Sequence, residues 1–139
     1  MSKQAFADAS FYIALANPRD QYHEQAVERA IGLEKENVHL VITRAVLLEI
    51  GDALANPRYR KAVAVLLESL EKDPRVEIIP LSEQLYHRAF ELFKQRPDKA
   101  WGLVDCISFI VMQDRGITEA LTADEHFRQA GFTPLLSDR

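Results

Sequence analysis

The apolar positions of the chain follow two different spacings. Short runs of consecutive apolar residues, many of them β-branched, predict buried strands at residues 4–8, 38–42, 76–79, 120–122 and 133–136. Between these runs, apolar residues recur every three or four positions, which predicts helices at residues 10–16, 20–36, 43–56, 59–70, 82–95, 103–115 and 125–130. Strands that alternate with helices indicate an α/β sandwich around a mainly parallel sheet.

Residues that favour helix ends mark several of these boundaries. Asp20, Thr43 and Ser82 stand at the start of helical patterns, as expected of N-cap residues. Gly116 follows a strongly apolar helical segment and is predicted to be its C-cap. No internal repeat, low-complexity tract or linker interrupts the pattern, so residues 1–139 are predicted to form a single domain.

Four carboxylates, Asp8, Glu49, Asp105 and Asp124, interrupt or cap apolar stretches. A buried carboxylate is costly unless it is paired, neutralised or bound to a metal. In open α/β sheets the ligand site lies beyond the carboxyl ends of the strands, where Asp8 and Asp124 fall and where the helix of Asp105 should begin. The pattern alone does not place Glu49 there. An anionic pocket built from distant segments predicts a hard divalent cation such as Mg²⁺ or Mn²⁺.

Composition limits the ways in which the protein can contact a ligand. Seventeen Lys and Arg against twenty-one Asp and Glu give a net charge of −4, unlike the basic surface of a protein that grips nucleic acid broadly. Any such contact must be local, metal-mediated or shared with a second copy. The single cysteine, Cys106, excludes an intrachain disulfide and fits a reducing, cytoplasmic setting. We expect no signal peptide, because the N-terminus leads directly into a short strand-like run that contains Asp8. We expect no membrane span, because no apolar run approaches about 18 residues.

Four segments carry a resemblance to a known family. In order along the chain, residues 6–15, 43–50, 104–108 and 121–127 resemble the motifs of the PIN domain, and more narrowly those of the VapC group of toxin-like endoribonucleases. The resemblance implies a three-layer α/β/α sandwich with four to five strands in the order 3-2-1-4-5. It also implies a metal-dependent RNA nuclease, usually a homodimer and often held inactive by a cognate antitoxin protein.

The resemblance assigns the catalytic and metal-binding positions to Asp8, Glu49, Asp105 and Asp124. It places Ser10 and Thr122 beside them as polar residues that line the site. Because Mg²⁺ takes only one or two protein carboxylates directly, we expect Asp8 and Asp105 to be the most direct ligands. Asp124 and Glu49 would then act through water or hold a second ion. Mutual repulsion in the metal-free site should raise some of the carboxylate pKa values.

Other interpretations of these residues stay open at the level of sequence. The chain could be a non-catalytic PIN-fold module that binds RNA or protein, or a metal-dependent phosphatase or DNA nuclease. A phosphatase with an aspartyl nucleophile would carry a second aspartate two residues after Asp8, where Ser10 stands. Glu49 could pair with Arg44 instead of joining the site. His126 could contact phosphate or water, although a packing or surface role is more common for such a histidine.

Overall fold

The computed structural model describes residues 3–138, which form one five-stranded sheet flanked by helices. Every pair of neighbouring strands is parallel, and their order is β3-β2-β1-β4-β5. The predicted sheet is therefore confirmed, with five strands. Its strands are β1 Gln4–Ala7, β2 His39–Thr43, β3 Val76–Ile79, β4 Glu119–Leu121 and β5 Thr133–Pro134.

Helices occupy the connections and cover both faces of the sheet. The steps from β1 to β3 extend the sheet to one side, and the later steps extend it to the other side. Right-handed crossovers then place the first four helices on one face and the last three on the opposite face. The result is the predicted three-layer sandwich. The helices are α1 Ala9–Ala16, α2 His23–Lys35, α3 Arg44–Ala53, α4 Pro57–Lys72, α5 Glu83–Gln95, α6 Leu103–Arg115 and α7 Glu125–Gln129.

Most of the predicted helix ends are confirmed. Thr43 Oγ1 accepts the Val46 amide at 3.1 Å, and Ser82 Oγ accepts the Leu85 amide at 3.0 Å. Gly116 ends α6 in the left-handed conformation, with φ of 65°. These caps satisfy backbone groups that the helices cannot pair internally.

Two predicted helix starts are wrong. Helix α2 begins at His23, and the Asp20 carboxylate instead accepts the Tyr22 amide at 2.9 Å, which closes the turn before the helix. Helix α4 begins at Pro57 instead of residue 59 because the Asn56 side chain caps it. Proline suits the first helical position, where an amide hydrogen would have no partner in the helix.

The core lies between the sheet and its two helical layers. Phe6, Val41 and Ile42 on the central strands are fully buried. Trp101 packs edge-on against Phe109, with ring centroids 5.0 Å apart, so its role is packing. Among residues 3–138, no helix combines the length and apolar character needed to span a bilayer.

Candidate active site

The carboxyl ends of β1 and β4 are adjacent and bring together residues that are distant in the sequence. Ala7 pairs with Leu121 in the parallel register, and the Asp8 amide donates to the Leu121 carbonyl at 3.1 Å. Asp8 and Thr122, which follow the two strands, are both buried. Asp8 is the N-cap residue of α1, but its carboxylate makes no capping hydrogen bond. Its side chain is therefore directed to other partners.

Two hydroxyl groups hold the Asp8 carboxylate. Thr122 Oγ1 donates to Asp8 Oδ2 at 2.8 Å, and Ser10 Oγ donates to the same oxygen at 3.0 Å. Burial raises the pKa of Asp8, the two hydroxyls oppose that increase, and the negative charge of Asp105 adds to it. The structure thus places Ser10 and Thr122, both predicted to line the site, directly on Asp8.

Asp105 and Asp124 are joined through His126. Asp105 Oδ2 accepts the Gly102 amide at 3.1 Å and lies 2.9 Å from His126 Nδ1. Asp124 Oδ1 accepts the His126 amide at 2.9 Å and lies 3.3 Å from His126 Nδ1. Potential ligand atoms of Asp105, Asp124 and His126 all lie within 4.8 Å of one another. This geometry suits the binding of one ion by side chains from α6 and α7.

Asp8 and Glu49 do not belong to that close group. The negative charge of Asp105 nevertheless raises the pKa of both side chains. Burial raises the pKa of Glu49, on α3, to about 7, and the charges of Asp8, Asp105 and Asp124 contribute to the increase. We refer to Asp8, Glu49, Asp105 and Asp124 as the acid cluster. Electrostatic interactions thus connect all four predicted acids, and Asp105 and Asp124 lie close together beside His126.

Comparison with known proteins identifies the family. The model of the PIN domain matches residues 5–133. The chain belongs to the PIN domain family. The match includes every member of the acid cluster, together with Ser10, Thr122 and His126.

The similar proteins of known structure include VapC20 and VapBC2. The 23S rRNA-specific endonuclease VapC20 of Mycobacterium tuberculosis is 30% identical over 127 residues, which cover 91% of this chain and 94% of VapC20. The crystal structure of VapC20, described as a sarcin-ricin loop cleaving toxin, gives a TM-score of 0.80 at 28% identity and covers 93% of this chain and 96% of its own. VapBC2 from Rickettsia felis, solved on a DNA fragment from its promoter, gives a TM-score of 0.64 at 17% identity over 97% of both chains. The last similarity supports the fold alone.

Negative charge dominates the site of this PIN domain. Within residues 3–138, the basic side chain in contact with Asp105 and Asp124 is that of His126. The charged groups that most strongly shift the pKa values of Asp8 and Glu49 are other carboxylates. Clustered carboxylates without cationic neighbours are unfavourable unless protons or an external cation neutralise them. Clustered carboxylate oxygens form a donor set that fits a hard divalent metal ion.

The competing role of Glu49 as a partner of Arg44 is not observed. Arg44 forms its ion pair with Glu71 on α4. The charged neighbours that raise the pKa of Glu49 are Asp8, Asp105 and Asp124, together with Asp52.

His126 is the residue of this site that sequence reasoning ranked too low. Its signal is the Asp124–His126 spacing at a strand-to-helix junction, where the aspartate caps α7 and the histidine falls in the first turn. That spacing does not fix the rotamer of the ring. The contact that matters joins His126 to Asp105, 21 positions away, so only the tertiary structure reveals it.

Proposed function

We propose that this PIN domain protein is a metal-dependent endoribonuclease and the toxin of a toxin–antitoxin pair. It would hydrolyse phosphodiester bonds of RNA. The observation that carries the proposal is the acid cluster at one rim of the sheet, where burial and neighbouring carboxylates raise the pKa values of Asp8 and Glu49. Similarity to VapC20 over nearly its whole length supports RNA as the substrate class.

The proposed metal ion is Mg²⁺ or Mn²⁺, held by Asp8, Asp105 and Asp124. When bound, such an ion neutralises charge on a phosphate and lowers the pKa of a coordinated water. The hydroxyls of Ser10 and Thr122 fix the Asp8 carboxylate through Oδ2, and neither occupies Oδ1.

Glu49 is the residue that we assign to proton transfer. Without a bound ion, burial and the neighbouring carboxylates raise its pKa to about 7, so this carboxylate can take up a proton near neutral pH when the site is empty. Its half-buried position on α3 leaves part of the carboxylate accessible to solvent. Glu49 also adds negative charge at the edge of the metal site.

The proposal includes three further features that rest on the resemblance to VapC proteins. These are an antitoxin protein as partner, a homodimer, and the cytoplasm as compartment. Apolar side chains that remain exposed on α2, α4 and α5 offer surfaces for protein contacts; Ile31, Val65 and Phe93 are 52%, 63% and 41% exposed. A mass of two chains by light scattering would support the homodimer, and a mass of one chain would contradict it.

The experiment that tests the proposed function measures cleavage of ribosomal RNA by the purified protein. Cleavage is expected with Mg²⁺ or Mn²⁺ and should be abolished by a chelator. D8N and D105N should each lose the activity because each replaces a charged oxygen ligand with an amide. The matched control is D114N, the same substitution on the exposed face of α6, where Asp114 pairs with Arg88. Its activity should equal that of the wild type.

The same assay separates the alternative functions. DNA and a small phosphomonoester are offered beside RNA. Preferential turnover of either would favour a DNA nuclease or a phosphatase. RNA that is bound but left intact under all metal conditions would favour a non-catalytic module. Equal cleavage in chelator would reject the metal mechanism.

A further inference from the structure

His126 contacts two members of the acid cluster through different atoms. Its backbone amide donates to Asp124 Oδ1 at 2.9 Å. Its ring Nδ1 lies 2.9 Å from Asp105 Oδ2 and 3.3 Å from Asp124 Oδ1. One residue therefore links the start of α7 to the start of α6.

The chemistry of these partners fixes the direction of the ring hydrogen bond. An ionised carboxylate accepts hydrogen bonds and has no hydrogen to donate. With Asp105 ionised, Nδ1 of His126 carries the hydrogen and donates it to Asp105 Oδ2. In a neutral imidazole this leaves Nε2 without a hydrogen.

The Asp105 carboxylate is held by two donors on the same oxygen. Oδ2 receives the Gly102 amide at 3.1 Å and the His126 ring at 2.9 Å. The Gly102 amide alone would leave the carboxylate free to rotate. The His126 ring, from a different segment, restricts that rotation. Neither donor occupies Oδ1, which remains available as an oxygen ligand.

We propose that His126 is a positioning residue, which orients Asp105 through Nδ1–H and Asp124 through its backbone amide so that both carboxylates can bind one divalent ion. This inference rests on the proposed function, because it concerns the same metal site. It goes further because it assigns the orientation of Asp105 to Nδ1 of His126, a residue outside the acid cluster. A direct contact of Nε2 with the ion or with phosphate is the competing role.

The first test observes the tautomer of His126 in the wild-type protein without metal. Long-range ¹H–¹⁵N spectra of histidine-labelled protein show which ring nitrogen carries hydrogen, at about pH 8.5, where most imidazoles are neutral. His23 is an internal standard because its Nδ1 lies 2.7 Å from the Ala14 carbonyl, which can only accept. A hydrogen on Nδ1 of His126 supports the proposal, whether or not Nε2 also carries one. A bare Nδ1 overturns it.

The second test uses substitutions that distinguish the two ring nitrogens. Asparagine places an amide nitrogen where histidine has Nδ1, whereas glutamine reaches the position of Nε2. H126A and H126Q should weaken Mn²⁺ binding by about 10- to 100-fold, the usual effect of losing a residue that orients a ligand. H126N should retain most of the wild-type affinity. H87A is the control because His87 lies exposed on α5, beside Glu83. The Mn²⁺ affinity of H87A should equal that of the wild type.

Each other result contradicts the positioning role. Unchanged Mn²⁺ affinity in H126A would overturn it, and so would retained affinity in H126Q together with loss in H126N, which would assign the function to Nε2. Melting temperatures of the metal-free variants confirm that each one is folded, and the tautomer measurement needs no variant. Failure of the proposed function is distinguishable: a wild-type protein that binds no Mn²⁺ overturns the metal site itself. Loss of binding in D8N with full binding in H126A overturns only the role of His126.

Discussion

At the scale of single residues, the environment of Asp8 explains how a carboxylate is kept inside the protein. Asp8 is 6% exposed, and removing an ionised group from water is costly without polar partners. Two hydroxyls, from Ser10 and Thr122, compensate for part of that cost on one oxygen. The remaining penalty is visible in the raised pKa of Asp8, for which burial is the largest cause.

Replacing Thr122 by valine tests this account, because valine keeps the shape and removes the hydroxyl. T122V should lower the free energy of unfolding by about 2 kcal/mol, the range for losing a hydrogen bond to a charged group. It should also reduce RNA cleavage, since Asp8 loses its 2.8 Å donor. Urea denaturation measures the stability.

T118V is the control for that substitution. Thr118 is exposed and precedes β4, the strand that Thr122 follows. T118V should have the same urea midpoint of unfolding as the wild type. Equal stability of T122V and T118V would contradict the proposed support of Asp8.

Sequence reasoning reached some residues of the site better than others. Asp8 and Asp124 were predictable because each follows a buried strand, and parallel strands end at one rim. The position of Glu49 six residues after Thr43 gave no such constraint, and its inclusion depended on the resemblance. His126 was ranked too low because its role depends on a ring rotamer and on a partner in another helix.

At the scale of elements, helix α6 matters because it presents Asp105 at the site. Its end is defined by Gly116 at φ of 65°, a conformation in which a Cβ atom is strained. Gly32, within α2, has ordinary helical surroundings, and a Cβ at either glycine would meet no atom within 4 Å. The two positions therefore differ in backbone conformation and not in available space.

The same substitution at these two glycines should have opposite effects. G116A should lower the free energy of unfolding by about 1 kcal/mol because alanine disfavours the left-handed region. G32A should raise it by about 0.5–1 kcal/mol because alanine has the higher helix propensity. Thermal denaturation of both variants measures the difference. A G116A variant at least as stable as the wild type would contradict the assignment of Gly116 as the C-cap.

A second element contact, between β3 and α6, gives a prediction about pH. The Arg115 guanidinium donates to both oxygens of Glu77, at 2.8 and 2.6 Å, and lowers the pKa of Glu77 to about 2, with a smaller contribution from His39. Because the folded-state pKa lies below the ordinary value near 4.5, the stabilisation is present above about pH 4.5. It is lost as the pH falls towards 2.

The variant E77Q should therefore be less stable than the wild type at pH 7 and equally stable near pH 2. Since both side chains are 38% exposed, solvent screening limits the difference at pH 7 to about 1 kcal/mol. Urea denaturation at several pH values measures it, with E91Q on the surface of α5 as the control. A difference that persists at pH 2 would show that the effect is not electrostatic.

Element boundaries were predictable to the extent that local chemistry determines them. The bounds of α6, residues 103–115, agreed with the apolar period and with Gly116. Helix α4 began earlier than predicted because Asn56–Pro57, interpreted as a break, caps the helix and opens its first turn. The same two residues can end one helix or start the next, and the spacing of apolar residues does not show which of the two they do.

At the scale of the whole molecule, the acid cluster should couple metal binding to stability. An ion that binds only the folded protein adds about 2.7 kcal/mol at a concentration 100 times its Kd, or roughly 10 °C in melting temperature for a domain of this size. Mg²⁺ or Mn²⁺ should therefore raise the melting temperature of the wild type. D8N should abolish the response, and D114N should preserve it. Unchanged melting of the wild type with either ion would count against the site.

The order of the strands could not be obtained from the alternation of strands and helices alone. That alternation predicts parallel pairing, but several orders satisfy it, and the order 3-2-1-4-5 came from the family resemblance. The structure confirms this order. It also explains why Asp8 and Thr122 meet: β1 and β4 are neighbours although more than a hundred residues separate them.

The outermost strand, β5, has a consequence for how molecules of this protein behave at high concentration. The amides of Thr133 and Leu135 donate inward, to the carbonyls of Thr118, just before β4, and of Ala120 within it, so the amide between them would face the open edge of the sheet. That position is Pro134, which has no amide hydrogen. An approaching strand from another molecule finds no donor there, which discourages edge-to-edge aggregation.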